Sequence, residues 1–310
     1  MNLINNPTFI ILLTACLVTV ASSLLGVFVV LRRQSMMTDA ISHSVLPGIV
    51  AAFWLTGGET ATIPALIGAA VMGLLTVMGV ETLTHSKLIK SDAAIGAVFP
   101  LLFAIGVILI SVYFRGTHLD LDAVLYGEIA YAPMNRMQLF GASVPESLVL
   151  MGSLGLINAL FVGLFYKELK LTTFDTGLAA SLGFAPVALN YALMTLLSLT
   201  TVGAFQSVGA VLIVAFVVIP PATAYLLSTR LSRILWLSIT LGMLGSITGY
   251  YLAVWSDTSI AGCMAGILGV LFIIALLLSP SDGLLQKSLR RHRQRQEFSA
   301  LQVEAAHQEL

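Results

Sequence analysis

The stretch Met36-Met37-Thr38-Asp39-Ala40-Ile41-Ser42-His43-Ser44-Val45-Leu46-Pro47-Gly48 stands between two long apolar runs and leads directly into the second. Asp39 and His43 are four residues apart, so on a helix both side chains lie on one face, one turn apart. An ionisable residue in a membrane-crossing segment is costly unless it has a partner or lines a wet cavity, which makes the pair a functional candidate. A carboxylate with an imidazole suits a divalent transition metal such as manganese, iron or zinc. Pro47-Gly48, one turn later, would kink or loosen the helix beside the pair. Spacing alone fits a second reading equally well, with Asp39 capping a helix and His43 satisfied by a neighbour.

The surrounding chain narrows the choice. Of its 310 residues, 58% are hydrophobic and only 10% charged, with a mean hydropathy of +0.97. That composition excludes a soluble domain and predicts an all-α, polytopic transmembrane protein in a lipid bilayer. Nine apolar runs are long enough to span, at about 8–31, 37–56, 61–82, 93–113, 145–166, 185–203, 207–227, 234–254 and 259–278. The sixth and seventh are short and joined through Ala204-Phe205-Gln206; as a broken or re-entrant pair they would reduce the count to eight. No linker divides the chain, so residues 1–280 read as one transmembrane domain and 281–310 as a basic, polar tail. The first run lacks a basic flank and a small-residue cleavage site, and reads as a retained span.

Net charge is zero, but its distribution is informative. Arg32 and Arg33 follow run one, Lys87 and Lys90 run three, Lys167 and Lys170 run five, and Arg230 and Arg233 run seven. Lys287, Arg290, Arg291, Arg293 and Arg295 follow run nine, so thirteen of the fifteen Lys and Arg lie after odd-numbered runs. The positive-inside bias puts those segments in the cytoplasm, the N-terminus outside and the tail inside. Segment 115–144 is then outside, with room for short interfacial or re-entrant helices, and 166–185 is the longest internal cytoplasmic loop. Within that loop Asp175 or Thr173 could cap a short helix, Leu178 and Leu182 share a face, and Gly183 could end it. Such a helix suits a docking knob for another protein, and equally a turn joining two spans.

Other chemistries find no support. No GxxxxGK[ST], GxSxG or HExxH motif occurs, which excludes a P-loop and the common hydrolase signatures. Cys16 and Cys263 sit in apolar runs and read as small buried hydrophobes. His118, near Asp120 and Asp122, fits a solvated loop better than an outer metal site; His85, His292 and His307 read as surface residues. Neither a nucleic-acid partner nor enzymatic activity of the chain itself is expected.

Five segments, in order, resemble one family: 39–48 (DAISHSVLPG), 91–96 (SDAAIG), 119–128 (LDLDAVLYGE), 174–183 (FDTGLAASLG) and 206–224 (QSVGAVLIVAFVVIPPATA). They are similar to the permease subunits of bacterial ABC importers for manganese, iron and zinc. The resemblance implies an ABC type II-importer-like permease in the bacterial cytoplasmic (inner) membrane, paired with a second copy or a related permease. A cytosolic ABC ATPase, which carries the ATP, would dock below and an extracytoplasmic metal-binding protein above. Asp39 and His43 match the family's intramembrane metal-coordinating pair, with Pro47 and Gly48 beside it at the gate. Phe174, Asp175, Ala179 and Gly183 fall in the family's ATPase-coupling helix. The form of the first motif is closer to the manganese and iron branch than to the zinc branch, and no permanently bound cofactor is implied. The family is often described with eight spans, whereas the charge alternation gives nine.

Overall fold

The computed structural model describes residues 6–56, 62–113, 129–139 and 142–279. The tail 281–310, the segment 119–128 and the residues His118, Asp120 and Asp122 lie outside the described residues. Helix α1 (Pro7–Leu31) opens with Asn6, whose side-chain oxygen accepts from the Thr8 N–H at 3.1 Å, and with Pro7 at its first position. The second apolar run is two helices, α2 (Ser35–Ser44) and α3 (Leu46–Leu55), followed by α4 (Thr62–His85) and α5 (Ser91–Tyr113). A 3-10 turn (Ile129–Tyr131) and a hairpin of β1 (Arg136–Leu139) and β2 (Ala142–Pro145) precede α6 (Glu146–Leu164). Next come α7 (Tyr166–Phe174), α8 (Thr176–Ser181), α9 (Pro186–Val208), α10 (Ala210–Leu227), α11 (Leu231–Ser256) and α12 (Ile260–Leu278).

Eight segments among the described residues are long and apolar enough to cross a membrane, counting α2 and α3 as one. A further apolar helix, described over Leu212–Leu227, is shorter and belongs to α10. At 1.5 Å per residue, the 18 residues of α10 rise about 27 Å, close to the hydrocarbon thickness. The sixth and seventh apolar runs are therefore separate helices. They part at Gly209, whose φ of 77° lies in the left-handed region that a side chain would strain. The tight break leaves α10 packed against α1, α11 and α12, with Ile213, Phe216 and Val217 fully buried.

In the 115–144 stretch, which had room for short interfacial or re-entrant helices, the described residues form the 3-10 turn Ile129–Tyr131 and an antiparallel hairpin, Arg136 opposite Pro145 and Leu139 opposite Ala142. The 166–185 stretch carries a second helix, α7, that its low apolar content hid; only Leu169 and Thr172, one turn apart, are buried on it.

Inside the bundle, hydroxyl groups tie helices where water is absent. Thr14 meets Ser147 at 3.3 Å, Thr19 meets Ser246 at 3.1 Å, and Ser198 donates to the Ala69 carbonyl at 3.0 Å. Asn158, fully buried, donates to the Ala21 carbonyl and to Thr200, joining α6 to α1 and α9.

Candidate functional site

Helix α2 carries the pair and is short for a physical reason. Ser42 donates to the Thr38 carbonyl at 2.8 Å and Ser44 to that of Ile41 at 3.2 Å, contacts that loosen the ladder. Pro47 then has no N–H to offer the carbonyl of His43, four residues back, and the helix breaks at Val45. The Ser44 hydroxyl also meets that of Thr76 at 2.6 Å, which fixes the break against α4.

Asp39 and His43 do share a face, with Nε2 of His43 3.6 Å from a carboxylate oxygen of Asp39. Their side chains are 51% and 31% exposed respectively. The imidazole lies between two rings of α5, with centroids 5.8 Å from Phe99 and 6.2 Å from Phe103. Those rings limit how it can turn, while its open side looks out of the chain. Among the described residues no cluster of three or more His, Cys, Asp or Glu side chains is found. One chain thus offers two side-chain ligands, whereas manganese and iron want about six donors and zinc about four.

Pro47 and Gly48 seat the break. A Cβ on Gly48 would collide with the Gly68 carbonyl, and one on Gly68 with the Gly48 carbonyl, so α3 and α4 touch backbone to backbone. Pro47 fills the space opposite Gly106 of α5, where an added Cβ would lie 3.0 Å from its ring.

The short helix α8 matches the sequence expectation closely. Asp175, in extended backbone, caps it by accepting from the Leu178 N–H at 2.9 Å. It ends with the Phe184 N–H bonded to the Ala179 carbonyl and the Gly183 N–H to the Ala180 carbonyl, both at 3.1 Å. This is the two-bond helix terminus that needs a left-handed residue, supplied by Gly183 at φ 86°. Phe174 and Leu182 are each 61% exposed and Leu178 48%, an apolar knob at the end of the bundle. Ala179 is fully buried and faces inward, so it seats the helix and is no part of the knob's surface.

The sequence model of the ABC 3 transport family matches residues 6–279. The chain belongs to that family. Across 281 residues it is 47% identical to the manganese transport system membrane protein MntD of Bacillus subtilis, covering 90% of this chain and 95% of that one. It is 49% identical over 282 residues to the zinc transport system membrane protein TroD of Treponema pallidum, covering 91% of this chain and 77% of that one. Among solved structures it is similar to PsaBC from Streptococcus pneumoniae in complex with Fab. The TM-score is 0.74 at 32% identity, over 90% of this chain and 94% of that chain.

One group in this ABC 3 family chain escaped the sequence reading. Arg32, counted above only as a positive-inside charge, is part-buried and hydrogen-bonded to Thr172, Thr173 and Asn190. Nothing in the local sequence separates it from its neighbour Arg33, which is exposed.

Proposed function

We propose that this chain is the membrane-spanning permease of an ATP-driven importer of a divalent metal ion, Mn²⁺ or Fe²⁺ first and Zn²⁺ as the alternative. The observation that carries the reading is the Asp39–His43 pair, half open on a membrane helix and short of ligands within one chain. A second permease, identical or related, facing the first would bring two more ligands and give a two-carboxylate, two-imidazole site on the pore axis. It would also cover charged surface that lipid cannot solvate. The orientation supporting transport inward places the N-terminus outside and the connections bearing Arg32, Lys87, Lys167 and Arg230 in the cytoplasm.

The cargo ion arrives from an extracytoplasmic binding protein on the outer side. Asp39 offers a hard oxygen and His43 a borderline nitrogen, and water completes the sphere, so binding selects without trapping. A separate ATPase docks on Phe174, Leu178 and Leu182 around α8; when it closes on ATP it displaces that helix. Affinity order alone ranks zinc above manganese, so a manganese preference would come from geometry and from the binding protein.

The test is ATP hydrolysis by the permease co-purified with its ATPase and binding protein, with Mn²⁺, Fe²⁺ and Zn²⁺ compared. Stimulation by Mn²⁺ or Fe²⁺ is expected. Stimulation by Zn²⁺ alone would move the cargo to the alternative, and transport by the lone chain without an ATPase would contradict the reading.

A further inference from the structure

Arg32 lies in the short connection between α1 and α2, just ahead of the helix that carries Asp39 and His43. Its three guanidinium nitrogens are all engaged. Nε donates to the Thr173 hydroxyl at 3.1 Å, Nη2 to the Thr172 hydroxyl at 3.0 Å, and Nη1 to the Asn190 side-chain oxygen at 3.0 Å. Asn190 in turn donates to a carboxylate oxygen of Glu81 at 2.6 Å. Thr172 and Thr173 are the last turn of α7, immediately before Phe174 and the Asp175 cap of α8. One side chain therefore touches both the docking segment and the run-up to the metal pair, with α9 and α4 held through Asn190.

The chemistry of the contacts suits movement. Among the described residues no carboxylate pairs directly with Arg32; Asn190 stands between it and Glu81. A locked anchor would be a direct bidentate ion pair, whereas neutral hydroxyl and amide acceptors can be left and remade. The guanidinium is also a rigid planar fork, and two of its arms hold adjacent residues of one helical turn. A tilt of α7 displaces both hydroxyls together, and the planar guanidinium follows them as one unit while its third arm trades partners. Burial lowers the Arg32 guanidinium to about 10, and it keeps its charge at neutral pH.

We propose that Arg32 is a coupling residue, a three-point clasp that carries displacement of the docking segment to α2 and so to Asp39 and His43. This rests on the importer reading above. It distinguishes Arg32 from Arg33, which has the same charge and position class but no such contacts to α7.

The experiment compares metal moved per ATP hydrolysed in proteoliposomes holding the full assembly, loaded with Mn²⁺ as probe. Arg32→Lys keeps the charge but replaces the fork by a point contact. Assembly and basal hydrolysis are expected at wild-type level, with metal per ATP reduced about tenfold or more, the usual size of a coupling term. Thr172→Val with Thr173→Val should uncouple in the same way, and adding Arg32→Lys should cost little more. Arg33→Lys should change nothing. An unchanged metal-to-ATP ratio in Arg32→Lys and in the threonine pair would overturn the proposal. Failure of both to assemble would overturn it too, by making the clasp a folding anchor. A wild-type assembly that hydrolyses ATP but moves no metal would instead sink the importer reading beneath it.

Discussion

At the residue scale, Asp39, His43 and the helix break at Val45 beside them form the candidate site. Asp39→Ala is expected to abolish metal-stimulated ATP hydrolysis while assembly stays intact, because the proposed hard ligand is removed at a side chain that is 51% exposed. His43→Asp trades a borderline nitrogen for a hard oxygen, and should lower Zn²⁺ stimulation relative to Mn²⁺ by about tenfold, measured on the same preparation. The pair was legible in the sequence because a carboxylate and an imidazole one turn apart stand out in an apolar run. The Phe99 and Phe103 rings that confine His43 were not, since they come from a helix more than fifty residues away. Arg32 was hidden for a different reason: an arginine that clasps and one that only faces water look alike after a span.

At the element scale, α8 stands on its Asp175 cap, and α3 and α4 meet backbone to backbone at Gly48 and Gly68. Asp175→Ala removes the cap of a very short helix and should cost about 1 kcal/mol of local stability, read as faster amide exchange at Leu178. Phe174→Glu, at an exposed position, should fold normally yet fail to retain the ATPase on co-purification. Gly48→Val forces α3 away from the Gly68 carbonyl and is expected to destabilise by about 1–3 kcal/mol, seen as a lower Tm in detergent. The cap and the terminal glycine of α8 were readable because Asp and Gly answer local backbone needs. Helix α7 and the hairpin were not, because one buries only two side chains and the other is settled by pairing across a turn.

At the scale of the whole molecule, the apolar runs predicted the order of the long helices among the described residues. What they left open was whether α10 crosses. Its length is marginal and its surroundings are protein, so hydropathy alone could not decide, whereas the break at Gly209 separates it from α9. With Cys16 and Cys263 replaced, Ser86→Cys and Thr258→Cys should label from opposite sides of the membrane. Labelling from one side would mean that α10 does not cross, leaving eight spans. The most direct test of the Asp39–His43 site is Mn²⁺ uptake by proteoliposomes holding the assembled transporter, wild type against His43→Ala. Uptake that depends on ATP and disappears in the variant, with basal hydrolysis retained, is the predicted result; uptake at the wild-type rate in His43→Ala would contradict it.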